Sequence, residues 1–292
     1  MSLASRLIGL ERSLAGLQRK TVQVADHLVV YSEGGKNNPE VLLLIHGFNA
    51  SADSWNRMAG KLTKRYHVIA PDLPGWGAST RIDSASYGYP AQIERLHQFL
   101  AQLGITRFHL MGHSMGGGIS ARYAAQYPAQ VITLGLMAAH GIVEPEQSEL
   151  VRCIEKGDNW LVVSSRPGFD RLMNNLFVKR PFMPGTVLKY LAQVMASGSA
   201  KTQQIFTEIQ ANEPPLAELL SQIKAPVFIV WGDQDKLIHV SAAEIFHQGI
   251  AGSEMLIMKQ TGHMPLMENV KQCSTAYLTF LGKRRAAKEA AA

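Results

Sequence analysis

The sequence predicts an α/β fold with a mostly parallel central sheet, helices on both faces and a helical cap inserted between two strands. Three observations support this class. Short apolar runs that end in turn residues recur, as in EVLLLIHGF (40–48) and VFIVWGDQD (227–235), and such runs are typical of buried parallel strands. Segments with helical spacing alternate with them, which indicates βαβ units. Between residues 141 and 224 the strand-like runs stop and helical patterns replace them.

Residues 1–20 predict an amphipathic helix. Leucines recur there at a spacing of three or four residues and line one stripe of a helix. They are Leu3, Leu7, Leu10, Leu14 and Leu17. Basic residues fall off the stripe, so the segment is too charged to span a bilayer. Two alternatives stay open: the helix lies in an anionic membrane interface, or its leucines dock on the protein's own core or on a second copy.

Residues 21–140 and 225–292 carry the strand and helix pattern of an α/β core. Segment 92–105 has apolar residues at helical spacing, with Gly104 where a helix stop belongs. The stretch 108–126 then runs strand, turn and helix. After the cap, two further strands and two helices follow, which completes the predicted sheet.

Residues 141–224 are interpreted as a cap over the carboxyl edge of the sheet. The segment GTVLKYLAQVMASG (185–198) has one apolar helical face, and FDRLMNNLF (169–177) offers a second apolar stripe. Both ends of the insertion return to the same sheet. An independently folding domain is therefore not expected.

Ser114 is the candidate nucleophile. It lies in GHSMG (112–116), after a predicted strand and before a helix predicted from about Gly116. This is the setting of a nucleophile elbow, in which a sharp turn leaves the serine hydroxyl exposed. The glycines at 112 and 116 remove side chains where strand and helix meet.

A serine hydroxyl needs a base to take its proton, and an acid to hold that base. His263 follows the last predicted strand and is the candidate base. The acid is Asp235 or Asp233; we favour Asp235 because it lies two residues deeper in its loop, whereas Asp233 is expected to cap a turn. The order Ser114, Asp235, His263 matches that of serine enzymes built on a strand–turn–helix elbow.

Two other histidines and two backbone amides complete the predicted site. His113 is interpreted as a packing residue and His46 as a residue that orders the loop after its strand. A tetrahedral intermediate also needs donors for its oxyanion. We expect these from the backbone N–H groups of Met115 and Phe48.

Charge and motifs limit the expected partners. The formal net charge of +6 suits an anionic membrane surface, nucleic acid or simple solubility. No basic run with interleaved aromatic residues occurs before the basic tail, so nucleic acid is not expected as a partner. No H-E-x-x-H, C-x-x-C or G-x-G-x-x-G element occurs in a usable context, so neither a metal nor an organic cofactor is expected.

Two isolated cysteines, Cys153 and Cys273, fit a reducing compartment, although one disulfide stays open. The start of the chain lacks the unbroken apolar region of a secretory signal. The predicted location is the cytoplasm, with peripheral contact at the inner face of the membrane as a hypothesis.

Five ordered motifs together resemble the α/β-hydrolase superfamily, over a span from about Val22 to Leu281. They are LLLIHGF (42–48), PDLPGWGAST (71–80), GHSMGGG (112–118), WGDQDKLI (231–238) and GHMPLMEN (262–269). Within the superfamily, HGFNASADSW and the helical insertion are similar to the membrane-associated monoacylglycerol lipase and esterase branch.

The resemblance implies a triad of Ser114, Asp235 and His263, with the Phe48 and Met115 amides as oxyanion hole. A serine at position 114 disfavours relatives with an aspartate nucleophile, such as haloalkane dehalogenases. Unlike that branch, this sequence shows no amino-terminal spanning helix.

The leading hypothesis is hydrolysis of carboxylic esters with one medium or long acyl chain, such as monoacylglycerols or lysophospholipids. Apolar side chains in the cap prompt it, and about a third of them are expected to line a pocket while the rest pack the cap. They are Trp160, Phe169, Leu172, Met173, Leu176, Phe177, Phe182, Met183, Val187, Leu188, Leu191, Val194 and Met195.

Two alternatives remain open. The same triad suits a carbon–carbon bond hydrolase of ring-cleavage products or a cofactor-free perhydrolase. A non-catalytic small-molecule receptor on the same scaffold is the other. For the lipase hypothesis, deletion of residues 1–20 is expected to weaken liposome binding and to spare hydrolysis of a soluble short-chain ester.

Overall fold

A computed structural model describes residues 2–211 and 214–290, with side chains through residue 286. Its sheet has eight strands: β1 (Leu17–Val24), β2 (His27–Gly34), β3 (Val41–Ile45), β4 (His67–Pro71), β5 (Phe108–His113), β6 (Val131–Met137), β7 (Val227–Gly232) and β8 (Glu254–Met258). Their order across the sheet is β1-β2-β4-β3-β5-β6-β7-β8. β1 and β2 form an antiparallel edge, and the strands from β4 to β8 are parallel. The predicted α/β class is confirmed.

Helices flank the sheet, and four of them lie between β6 and β7, in the segment predicted to form a cap. Those of the core are α1 (Leu3–Leu14), α2 (Asn56–Leu62), α3 (Tyr89–Gln102), α4 (Met115–Gln126), α9 (Ser241–Gly249), α10 (Pro265–Glu268) and α11 (Val270–Ala290). Those between β6 and β7 are α5 (Glu149–Glu155), α6 (Arg166–Leu176), α7 (Gly185–Ser197) and α8 (Ser199–Gln210). Short 3₁₀ helices lie at Ala52–Trp55 and Leu216–Gln222. In the described ranges, no helix is both long and apolar enough to cross a bilayer.

The central strands explain why the candidate site residues lie at one edge of the sheet. Every residue of β5 and β7 is buried, as expected for strands covered by helices on both faces. Parallel neighbours end at the same edge, so the loops after β3, β5, β7 and β8 meet there. The helices of the cap lie between the end of β6 and the start of β7 in the chain.

The amino-terminal helix is shorter than predicted. α1 ends at Leu14, and Gly16 follows with a positive φ of 72°. Leu17 is the first residue of β1, where it pairs with Gly34 and is buried. The prediction of one helix over residues 1–20 is therefore wrong from residue 15 onward, because edge pairing with β2 competes with helix continuation.

Most of the leucine stripe of α1 faces outward. Leu3, Leu10 and Leu14 are 60%, 56% and 79% exposed, whereas Leu7 is half-buried. α1 packs on β1, α2 and the cap helix α7 with its other face. The alternative in which these leucines dock on the protein's own core is therefore wrong for these three. Some residues of the predicted segments lie outside the described residues. They are residue 1 of the predicted helix, residues 212–213 of the predicted cap and residues 291–292 of the predicted core.

Candidate active site

Ser114 occupies a strained turn between β5 and α4. Its φ is 53° and its ψ is −121°, in a region that residues with a side chain rarely adopt. Its N–H donates to the Met137 oxygen at 2.9 Å, and its own carbonyl oxygen accepts from the N–H of His140 at 3.0 Å. Such strain persists only where neighbours fix the backbone, and these bonds to the end of β6 do so.

Gly112 and Gly116 allow this turn by close contact. A Cβ atom on Gly112 would lie 2.1 Å from the Gly116 oxygen, and one on Gly116 would lie 2.4 Å from the oxygens of Ile45 and His46. No side chain fits at either distance. The spacing of glycines around Ser114 therefore follows from the packing of α4 against β5 and β3.

Asp235 and His263 form a buried pair at the carboxyl ends of β7 and β8. His263 Nδ1 lies 2.8 Å from Asp235 Oδ2, and both side chains are almost completely buried. The other carboxylate oxygen, Oδ1, accepts the N–H groups of Leu237 and Ile238 at 2.8 and 3.0 Å. The aspartate is thus held by its own loop and can fix one imidazole tautomer.

Asp233 has a different environment. Its Oδ1 accepts the N–H of Thr261 at 3.3 Å, and its Oδ2 lies 3.8 Å from Lys259 Nζ. It ties the loop after β7 to the loop that leads to His263. The structure therefore places Asp235, and not Asp233, against the imidazole.

The backbone of His263 is anchored from three sides, which sequence reasoning missed. Its N–H donates to the Leu176 oxygen of the cap at 2.9 Å. Its carbonyl oxygen accepts from His113 Nε2 at 2.8 Å. The preceding Gly262 donates its N–H to Glu268 Oε1 at 2.9 Å. No spacing in the sequence marks these long-range contacts.

His113 is buried, as its interpretation as a packing residue requires, and its ring centroid lies 4.8 Å from that of His263. His46 links two loops. Its Nδ1 donates to the Gly47 oxygen at 2.7 Å, and its Nε2 accepts the N–H of Leu73 at 2.9 Å. Burial lowers the pKa of His46, so this neutral ring orders its own loop, as expected, and also the loop after β4.

The two predicted oxyanion donors belong to the start of α4 and to the loop after β3. Met115 is the first residue of α4, so its N–H has no acceptor within the helix. A Cβ atom on Gly47 would lie 3.1 Å from Ser114 Cβ, which places the loop after β3 directly beside the serine. Phe48 follows in this loop, and its ring packs edge-on against Trp76 at 4.9 Å. This arrangement suits two N–H donors that converge on a reacting carbonyl.

A cavity of about 1000 Å³ opens above Ser114 and His263. Ten of the thirteen apolar cap residues line it, and only Trp160, Phe169 and Leu188 do not. The expectation of about a third is therefore wrong. Helical periodicity identifies an apolar face but does not distinguish a face that packs from one that borders a cavity.

The cavity wall also contains residues that sequence reasoning did not select. α1 contributes Leu7 and Ile8, and a cluster of charged side chains lies on the same side. The described residues include no group of three His, Cys, Asp or Glu side chains arranged for a metal. Cys153 and Cys273 are both free thiols, which resolves the disulfide question left by the sequence.

Comparisons with known proteins agree with this architecture. The family model for the alpha/beta hydrolase fold matches residues 40–270. Lipase 3 of Moraxella sp. is 31% identical over 283 residues, which cover 96% of this chain and 90% of that protein. The human monoacylglycerol lipase ABHD6 is 28% identical over 92% of this chain and 84% of its own.

A solved structure is closely similar. The crystal structure of a membrane phospholipase A, a bacterial virulence factor, shares 40% identity and a TM-score of 0.95. The match covers 97% of this chain and 91% of that chain. With the nucleophile-elbow geometry, the sheet order and the family match over residues 40–270, this chain belongs to the α/β-hydrolase family.

Proposed function

We propose that this chain is a serine hydrolase that cleaves carboxylic esters of lipids. The observation that carries the proposal is the buried Asp235–His263 pair, whose histidine lines the same large apolar cavity as the strained Ser114. Relatives named lipase and monoacylglycerol lipase support the same activity.

The proposed reaction has two halves. His263 Nε2 takes the hydroxyl proton of Ser114 as its Oγ attacks the ester carbonyl, and Asp235 stabilises the imidazolium. The N–H groups of Phe48 and Met115 stabilise the oxyanion of the tetrahedral intermediate. The intermediate collapses to an acyl-enzyme as His263 gives its proton to the leaving alcohol. Water then attacks the acyl-enzyme by the same steps and releases the fatty acid.

We propose substrates with one medium or long acyl chain, such as monoacylglycerols or lysophospholipids. The cavity wall supports this class, because apolar residues of all four helices between β6 and β7 border it. A pocket of about 1000 Å³ is at the upper end of the range for small-molecule sites. A short ester would leave most of this apolar surface without contacts.

The first experiment is labelling with a fluorophosphonate, which reacts with an activated serine. We expect wild-type protein to be labelled and Ser114→Ala not to be. A chain-length series of p-nitrophenyl esters, and then monoacylglycerols against phospholipids and short esters, tests the substrate class. Failure of native protein to label would favour the receptor alternative. Labelling without ester turnover would favour carbon–carbon bond hydrolysis or perhydrolysis.

We also propose peripheral contact with an anionic membrane on the cytoplasmic side. The outward leucines of α1 are accompanied by two exposed apolar residues of the cap, Phe182 at 84% and Val194 at 50%. Arg57 joins these two parts of the surface, since it donates from Nε to Glu11 of α1 at 2.8 Å and from Nη2 to the Phe182 oxygen at 2.8 Å. A net charge of +6 adds long-range attraction to anionic lipid.

A further inference from the structure

An ion pair connects the inner side of α1 to the end of the loop that carries the proposed oxyanion donor Phe48. Arg12 makes a two-pronged ion pair with Asp53: Nε donates to Oδ1 at 2.8 Å and Nη2 to Oδ2 at 2.9 Å. Asp53 lies in the 3₁₀ helix at Ala52–Trp55, directly after that loop. Both side chains are largely buried and border the active-site cavity.

Arg19 of β1 extends this link to a second aspartate. Its Nη2 donates to Asp53 Oδ2 at 2.9 Å, and its Nη1 donates to Asp72 Oδ2 at 2.8 Å. Asp72 is completely buried, and its Oδ1 accepts the N–H of Ala52 at 2.8 Å. Two arginines and two aspartates therefore form a charge-balanced cluster that holds the downstream end of the loop.

The loop between β3 and this cluster needs such an anchor. Asn49, next to Phe48, has a positive φ of 51°, in the left-handed region that few residues with a side chain adopt and that asparagine tolerates. The course of this turning loop depends on what holds its two ends. His46 holds the upstream end by its bonds to Gly47 and Leu73. The downstream end depends on Asp53 and the backbone of Ala52.

We propose that Arg12 and Arg19 are positioning residues that set the Phe48 N–H toward the reacting carbonyl through Asp53 and Asp72. The inference rests on the proposed function, because the oxyanion hole belongs to it. It makes α1 part of the catalytic assembly. On this inference, and against the expectation from the sequence, a protein lacking residues 1–20 should lose activity on a soluble short-chain ester, because the deletion removes both arginines and half of β1.

The electrostatics of the cluster agree with this role. Burial opposes the charge on Asp53, but the bonds from Arg12 and the charge of Arg19 outweigh it and lower the pKa of Asp53. Burial likewise opposes the charge on Arg19, and the two aspartates outweigh it and raise its pKa. Removal of one member leaves a largely buried partner charge uncompensated, which displaces the loop or loosens it.

The test compares Arg12→Gln with Arg107→Gln, in full-length protein and with p-nitrophenyl octanoate. Arg107 is an exposed arginine just before β5, at the opposite edge of the sheet, so the control makes the same change of charge. We expect kcat of Arg12→Gln to fall by about tenfold to a hundredfold, because a small displacement of an oxyanion donor has an effect of that order. KM is expected to change by less than about threefold, since ground-state binding depends on the cap.

Affinity for an alkyl trifluoromethyl ketone separates positioning from general damage. This inhibitor forms a tetrahedral adduct with the serine, so its affinity reports the oxyanion hole. We expect it to weaken in parallel with kcat in Arg12→Gln and to stay unchanged in Arg107→Gln. Equal kcat and equal inhibitor affinity in the two variants would overturn the inference.

Asp53→Asn covers the case in which Arg12→Gln does not fold, and it should show the same loss of kcat. Where both single variants fold, the double variant should lose no more activity than the more impaired single one, because both changes break one link. Multiplicative losses would contradict the link. A wild-type protein without ester turnover would instead refute the proposed function itself.

Discussion

The Nε2–H group of His113 donates a hydrogen bond to the backbone oxygen of His263 across 2.8 Å. A carbonyl oxygen only accepts, so this bond fixes the proton of His113 on Nε2. Burial, with the nearby charge of His263 as a smaller cause, lowers the pKa of His113 to about 3. The residue beside the proposed nucleophile therefore remains neutral and supports the loop of the proposed base.

The neutral buried histidines predict a loss of stability in mild acid. Burial lowers the pKa of His140 to about 4, and the pKa of both residues lies below the ordinary value of 6.5. Below about pH 6.5 the unfolded chain takes up protons that the folded protein excludes, so stability is complete above that pH and falls as the pH falls toward 4. The expected loss is about 1.4 kcal/mol per pH unit for each such histidine.

Urea unfolding near pH 7 and near pH 5 measures this effect, and His113→Gln provides the comparison. Glutamine keeps a donor for the His263 oxygen but does not titrate. We expect the variant to be less stable near pH 7 and to show a smaller difference between the two pH values, by about 2 kcal/mol. If the stability of His113→Gln changes between the two pH values as much as that of the wild type, His113 does not have a lowered pKa.

Ser114→Ala should abolish ester hydrolysis and leave the fold intact. Removal of the nucleophile of a triad typically lowers turnover by several orders of magnitude. The substitution removes one oxygen and also retains the strained backbone, so thermal unfolding should stay close to that of wild type. Retention of about a tenth of wild-type turnover would exclude Ser114 as the nucleophile.

Asp235→Asn should cost far more activity than Asp233→Asn. Asp235 Oδ2 lies 2.8 Å from His263 Nδ1. An asparagine in its place can still bond the ring, but it favours the wrong tautomer and cannot stabilise the imidazolium. At 233 the bond to the Thr261 N–H survives in part, because an amide oxygen also accepts. Steady-state kinetics of the two purified variants decide between them. A larger loss of kcat at 233 would reverse the assignment of the acid.

Much of the sheet and its edge could be predicted, because the signals are local. The apolar run before His46, the glycines around Ser114 and the loop of Asp235 each reflect the backbone within a few residues. Parallel strands then bring separate loops to one edge, so the sequence order of the motifs was enough to group them. The choice of Asp235 over Asp233 agrees with the contact to His263.

The missed features depend on long-range packing. Arg12 and Asp53 are 41 positions apart in the chain, and their ion pair depends on how α1 lies across the sheet. The leucine stripe predicts a helix as far as Leu17, because helix and strand spacing overlap over a few residues; pairing with β2 makes Leu17 the start of a strand instead. The share of cap residues that line the cavity could not be predicted, since a cavity has no sequence signal.

Leu172→Phe should shift the acyl-chain preference toward shorter esters. Leu172 is buried in α6 and borders the cavity, so a larger side chain takes space from the acyl chain. The measurement is kcat/KM for p-nitrophenyl esters from acetate to palmitate. Phe169→Leu is the matched control, because Phe169 is buried in the same helix but lies away from the cavity. Phe169→Leu should lower the stability of the protein without changing the preferred acyl-chain length. If Phe169→Leu changes that preference and Leu172→Phe does not, the acyl chain does not lie beside Leu172.

The last prediction concerns the outward face of α1. Because Leu10 and Leu14 are exposed while Arg12 points inward, substitution of the leucines separates membrane contact from the loop anchor. We expect Leu10→Ser combined with Leu14→Ser to weaken co-sedimentation with vesicles of phosphatidylglycerol and phosphatidylcholine by about tenfold or more, since each leucine contributes apolar burial in the interface. Binding of the wild type should also weaken at high salt, because the electrostatic part is screened. Turnover of a soluble short-chain ester should stay unchanged in the double variant.

Leu28→Ser, which changes an exposed leucine outside α1 and the cap, is the control. If the control and the double variant bind vesicles as well as the wild type does, α1 is not the membrane contact, and its outward leucines need another partner.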